Sequence, residues 1–237
     1  MVVNLAELLQ DATLYSGRQS DCDLDFETER HINISNDKLV VFDFDGTITT
    51  KDTFALFLKY YAGTPRWALN ILLLLPVFLA YGLKLIDRNK VKDKVIDRFF
   101  RNQNESQIET RAESFARDVI PGLIRPKALE TLNTRISGQK DGLYTLYICS
   151  ASIGPYLRAY FKPLGIHNIL ATELETLNGT CTGQIDGWNV WGEGKMRRIA
   201  AEVAPNTVNI IEAYGDSRGD REMLDAAKAS YWRPFRL

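Results

Sequence analysis

The stretch Leu39-Val40-Val41-Phe42-Asp43-Phe44-Asp45-Gly46-Thr47 decides how the rest of the chain is read. Its apolar half has the composition and length of a short buried strand, and it ends abruptly in two acids two positions apart. On a regular strand, residues i and i+2 share a face, so Asp43 and Asp45 would point the same way. Gly46 then lets the chain turn off the sheet without steric penalty. A buried carboxylate without a partner costs several kcal/mol, on the order of 2–7 for a neutral polar group and more for a charge. Two together therefore need a cation or a proton. The arrangement predicts a Mg²⁺ site at the carboxyl end of a parallel strand, where open α/β sheets hold their ligands.

Outward from this stretch, strand-like and helix-like segments alternate. Leu143–Cys149, Ile169–Leu174 and Val208–Tyr214 read as strands, each closed by polar residues. Helices are expected after Pro126, around Tyr156–Phe161, from Gly194-Lys195 to Val203, and from Met223 to Ala229. Asn178-Gly179 and Asp186-Gly187 mark a small hairpin. The fold class is α/β: a Rossmann-like parallel sheet with helices on both faces. An all-helical segment interrupts it directly after the first strand. The expected organisation is a polar leader over 1–36, a core built from 37–52 and 121–237, and a helical insertion over 53–120. In the leader, Leu5, Leu8, Leu9 and Ala12 fall at helical spacing.

Composition narrows the function classes. The chain has 237 residues, 45% of them hydrophobic and 25% charged, which suits a globular protein with a sizeable core. A formal charge of -1 offers no footprint for nucleic acid. Cys22, Cys149 and Cys181 are scattered without a paired motif, and with His31 and His167 as the two histidines a multi-histidine zinc centre is excluded. No secretory pattern opens the chain, so the expected location is cytoplasmic.

The Asp43-Phe44-Asp45-Gly46-Thr47 motif resembles the first motif of the haloacid dehalogenase-like (HAD) superfamily, and three partner motifs follow in order. The wording of the motifs and the position of the insertion resemble the phosphoserine-phosphatase-like branch. The resemblance implies a HAD-like core with a helical cap and a Mg²⁺-dependent phosphatase passing through an aspartyl-phosphate. It makes Asp43 the nucleophile and Asp45 the general acid and base, with a backbone carbonyl on the metal. Ser150, in competition with Ser152, would bind the phosphate, together with Ala151. Lys195 in Gly192-Glu193-Gly194-Lys195 would tie the phosphate to the nucleophile. Asp216 and Asp220 in Gly215-Asp216-Ser217-Arg218-Gly219-Asp220 would complete the metal site with Asp43 and Asp45. Asp52 stands where the amino-acid phosphatases of the branch keep a Glu for the substrate's ammonium group.

The substrate is less constrained. Trp67 to Ile86 is the most apolar run of the chain and resembles the cap of bacterial phosphatidylglycerophosphatase C. A single membrane crossing there would separate Asp43 from Asp216, which must share one ion. Three arrangements stay open: a buried helix pair bent at Pro76, an interfacial anchor, or a re-entrant hairpin. The expected partner is a phosphorylated small molecule or a lipid headgroup such as phosphatidylglycerophosphate, with peripheral contact to the inner face of a membrane. A phosphoserine-like soluble substrate and a phosphoryl transferase are the alternatives. A silent binding module is disfavoured because every catalytic position is kept.

Overall fold

The computed structural model describes residues 38–236. The expected leader and its helix at Leu5–Ala12 lie outside the described residues. A six-stranded sheet forms the centre: β1 (Leu39–Phe42), β2 (Thr145–Ile153), β3 (Asn168–Leu177), β4 (Thr180–Asp186), β5 (Ile210–Gly215) and β6 (Ala229–Trp232). Its order is β4-β3-β2-β1-β5-β6, with β4 antiparallel to β3 and the other neighbours parallel. The first strand is therefore central, flanked by β2 and β5, and all three deliver acids or hydroxyls to one edge.

The two faces of β1 go to two different cores, as the two-residue period demands. Val40 and Phe42 join one cluster, while Leu39 and Val41 join the other. The second cluster is closed by Ile199 of α7 (Glu193–Val203) and by Met223 and Leu224 of α8 (Arg221–Asp225). The first is closed by α5 (Pro126–Lys140), α6 (Gly154–Phe161) and a layer of four further helices.

That layer consists of α1 (Thr53–Ala62), α2 (Thr64–Gly82), α3 (Arg88–Phe100) and α4 (Glu105–Asp118). Local chemistry sets the starts of these helices. Asp52, Asp87 and Asn104 each accept a hydrogen bond from a backbone N–H three residues on, capping α1, α3 and α4. Phe57, Phe100 and Phe115 pack together, and Tyr156 of α6 enters the same group with ring centroids 5.1 Å from Phe57 and 5.4 Å from Phe115. This aromatic cluster fastens the layer to α6, and backbone hydrogen bonds of Asn102 and Gln103 with Cys181 fasten it to β4.

Three expectations need correction. Met223–Ala229 is not one helix: α8 stops at Asp225, and Ala229–Trp232 pairs in parallel with β5 as the edge strand. The long-range pairing overrides the helix preference of Ala and Lys. The apolar run is not a buried helix pair either, because α2 is continuous across Pro76 and only 11% of its most apolar window is buried. Lastly, the backbone leaves the sheet after Phe42, so Asp43 and Asp45 do not share a strand face.

Candidate active site

Gly46 is where the first motif turns. Its φ is +80°, and a Cβ there would stand 2.5 Å from Asp216 Oδ2. Both the backbone conformation and the close approach demand glycine. The turn sends the two acids to separate tasks.

Asp43 faces inward. Its Oδ1 accepts from Lys195 Nζ at 2.6 Å, and its Oδ2 accepts from the Thr47 hydroxyl at 2.8 Å. Lys195, buried at the first turn of α7, also donates to the Cys149 carbonyl at 2.7 Å and pairs with Asp220 Oδ1 at 2.6 Å. Asp220 Oδ2 in turn takes the backbone N–H groups of Asp216 and Ser217 and the Ser217 hydroxyl. Both oxygens of Asp220 are therefore occupied, which makes it a support for Lys195 and for the backbone of Asp216. Arg236 Nη2 reaches Asp216 Oδ2, and Arg233 Nε donates to the Asp216 carbonyl at 3.0 Å.

The donor atoms of Asp43, Asp216 and Asp220 all lie within 4.8 Å of one another, and all three residues are buried. Burial raises the Asp43 carboxyl above the ordinary carboxylate range, against the pull of Lys195. Asp216 is raised as well, by burial and by Asp220, with Arg236 opposing. Burial works against the charge on Asp220, yet Lys195 and the N–H donors hold it below the usual range. For Lys195 the same balance runs the other way: burial opposes its charge, and Asp43 and Asp220 together carry it above the ordinary lysine range. Three acids face two cations, Lys195 and Arg236, so one negative charge is left over in the cluster, offered by hard oxygen donors. That donor set fits Mg²⁺, which prefers few carboxylates completed by water and phosphate oxygens.

Asp45 looks elsewhere. It accepts from the Thr53 N–H at 2.7 Å, the Thr53 hydroxyl at 2.6 Å and the Ser152 hydroxyl, so its carboxylate stands outside the acidic cluster. Burial pushes it up to about 6, with Asp52 adding and the three donors restraining the rise. A carboxyl in that range is suited to giving and taking a proton near neutrality.

Ser150 and Ser152 separate cleanly. Both are buried and border the cavity, but the Ser152 hydroxyl is committed to Asp45, whereas the Ser150 hydroxyl accepts from the Ser152 N–H at 3.1 Å. The pairing of β2 with β3 shifts between Ser150 and Ile153, which frees this segment from the regular ladder. Asp52 is exposed and caps α1 through Ala55.

These residues border one cavity of about 670 Å³, within the ordinary range for a small-molecule site. Asp43, Asp45, Ser150, Lys195, Asp216 and Asp220 make its floor. The helical layer makes an apolar wall with Phe54, Leu58, Trp67, Ile71 and Phe78. Sequence reading assigned no role to Thr47, Thr53, Lys92 or Arg236. Thr47 was visible within the motif, but the hydrogen bonds of the other three depend on tertiary placement.

A family model, haloacid dehalogenase-like hydrolase, matches residues 40–225. Protein CicA of Caulobacter vibrioides is 37% identical over 202 residues, covering 84% of this chain and 86% of CicA. Among solved structures, a protein of unknown function from Bordetella pertussis Tohama I is similar with a TM-score of 0.65 at 20% identity, covering 81% of this chain and 87% of that one. A phospho-aspartyl intermediate analogue of phosphoserine phosphatase is similar with a TM-score of 0.53 at 18% identity, covering 82% and 85%. At these identities the two structures speak for the fold.

Proposed function

The chain belongs to the haloacid dehalogenase-like hydrolases, and we propose that it is a Mg²⁺-dependent phosphomonoester phosphatase acting through an aspartyl-phosphate on Asp43. The observation that carries this reading is the division of labour between the two acids of the first motif. Asp43 sits against Lys195 and Thr47 inside the acidic cluster, and Asp45 stands apart in a proton-holding pocket.

In the first half-reaction an Asp43 oxygen forms the new bond to phosphorus, and the ester P–O bond breaks. The leaving oxygen takes its proton from Asp45. In the second, water attacks phosphorus, the bond to Asp43 breaks, and Asp45 takes the proton from that water. Lys195 balances charge beside the nucleophile, and the Ser150 hydroxyl would donate to a phosphoryl oxygen. Asp43, Asp216 and the Asp45 carbonyl would hold the ion, whose contribution is to neutralise phosphate charge. The test is phosphate release from a panel of phosphomonoesters, with and without a chelator. Activity is expected to disappear on chelation and return with Mg²⁺; full activity in metal-free protein rejects the reading.

A second observation favours a lipid phosphate over a small soluble ester. The inner stripe of α2, Trp67, Ile71, Leu74 and Phe78, packs inward, and Trp67, Ile71 and Phe78 of it border the cavity. Its outer face leaves Leu72 60% and Leu79 65% exposed, with Leu69, Leu73 and Leu75 beside them. Residues 53–86 contain no Asp or Glu, while Lys59, Arg66 and Lys84 are present. An apolar face with basic flanks suits an anionic bilayer, with α2 lying in the interface. Wild type is expected to float with anionic vesicles, and Leu72→Glu with Leu79→Glu to remain behind while still hydrolysing soluble aryl phosphate. Wild type that stays with the soluble fraction would remove the lipid reading and leave the phosphatase.

A further inference from the structure

Lys92 stands in the cavity without a part in the chemistry above. It comes from α3, in the helical layer, yet its Nζ donates to the carbonyl of Ala151 at 3.0 Å. Ala151 lies between Ser150, placed for phosphate, and Ser152, which holds Asp45. The same Nζ sits 3.2 Å from the centroid of the Phe54 ring, at the foot of the apolar wall. Lys92 is therefore on the side where the leaving oxygen must meet Asp45. Arg88, one turn earlier on α3, borders the same cavity, as does Lys51.

We infer that Lys92 is a specificity-determining residue that binds a second anionic group on the leaving alcohol, close to the ester oxygen. This deepens the phosphatase reading and rests on it. A lysine used only to fasten α3 to Ala151 would need one hydrogen-bond partner. This one has three donors, one committed to Ala151 and another side covered by Phe54, which leaves capacity toward the cavity. The acids near it are Asp52 and Asp45, neither of which forms an ion pair with it, and Arg88 adds a like charge. Burial pulls Lys92 down to about 7, so its charge is poorly compensated by the protein alone. An anion on the substrate completes the site and holds the proton on Nζ. The Phe54 face adds to the preference for the charged amine. The required ligand is thus a phosphomonoester whose alcohol also carries a carboxylate or a phosphate.

The test uses one scaffold in three forms: glycerol phosphate, phosphoglycerate and glycerol bisphosphate, with aryl phosphate as reference. Wild type with Mg²⁺ is expected to prefer at least one of the two acid-bearing esters over glycerol phosphate, chiefly through KM. The arm preferred tells carboxylate from phosphate. In Lys92→Met that preference should shrink by about ten- to a hundredfold, the range for losing a hydrogen bond to a charged group. Lys92→Arg should keep part of it. A wild type indifferent to the second acid overturns the inference while its turnover of aryl phosphate upholds the phosphatase. Equal losses on all three glycerol esters in Lys92→Met, restored by Lys92→Arg, mark a purely structural lysine and also overturn it. If no ester releases phosphate, the underlying reading falls and takes this inference with it.

Discussion

Asp43→Asn is expected to abolish turnover of every phosphomonoester, a loss of roughly ten-thousandfold or more, since removing a covalent nucleophile disables the whole catalytic unit. The fold should survive. Asparagine is nearly isosteric, its carbonyl can still accept from Lys195, and one buried negative charge is removed from a cluster that burial already strains. Steady-state kinetics on aryl phosphate, with a thermal melt as control, reads both halves. Retained turnover in a folded Asp43→Asn protein would move the nucleophile to another residue.

Asp45→Asn comes second in size. General acid–base catalysis contributes about a hundred- to ten-thousandfold, and here both half-reactions draw on the same carboxyl. The loss should be larger for alkyl esters than for aryl phosphates, because a poor leaving group depends more on the proton. The asparagine carbonyl can keep the bond from the Thr53 N–H, and the Ser152 hydroxyl can rotate to accept from the amide. Structural damage should therefore be small. A loss independent of leaving-group pKa would argue that Asp45 positions the site without moving a proton.

Much of the sheet could be read from the chain because each strand is a dense apolar run with a polar stop, and β1 shows this most plainly. β6 was hidden because Ala229-Ser-Tyr-Trp232 is short and mixed, and acquires strand geometry only by pairing with β5. Along α2 the difficulty was different. Apolar residues cover both its faces, so periodicity could not say that Leu74 is buried at 4% exposure while Leu72 and Leu79 are open. The site divides the same way. Asp43, Lys195, Asp216 and Asp220 stand at strand ends or helix starts, and parallel topology obliges such positions to converge. Lys92 lies in the charged helix Arg88–Phe100, where a half-buried lysine looks like any solvated one until the packing is known. The separation of Asp45 from Asp43 was likewise invisible, since it depends on the turn at Gly46 and on donors from Thr53 and Ser152.

The central claim is a covalent phosphoryl group on Asp43, and borohydride capture followed by peptide mass spectrometry tests it most directly. An acyl phosphate is reduced where a free carboxylate is not, so the enzyme quenched during turnover should carry homoserine at position 43. Enzyme without substrate should carry unmodified Asp43. Reduction at another acid, or none in an enzyme quenched while actively releasing phosphate, would contradict the account.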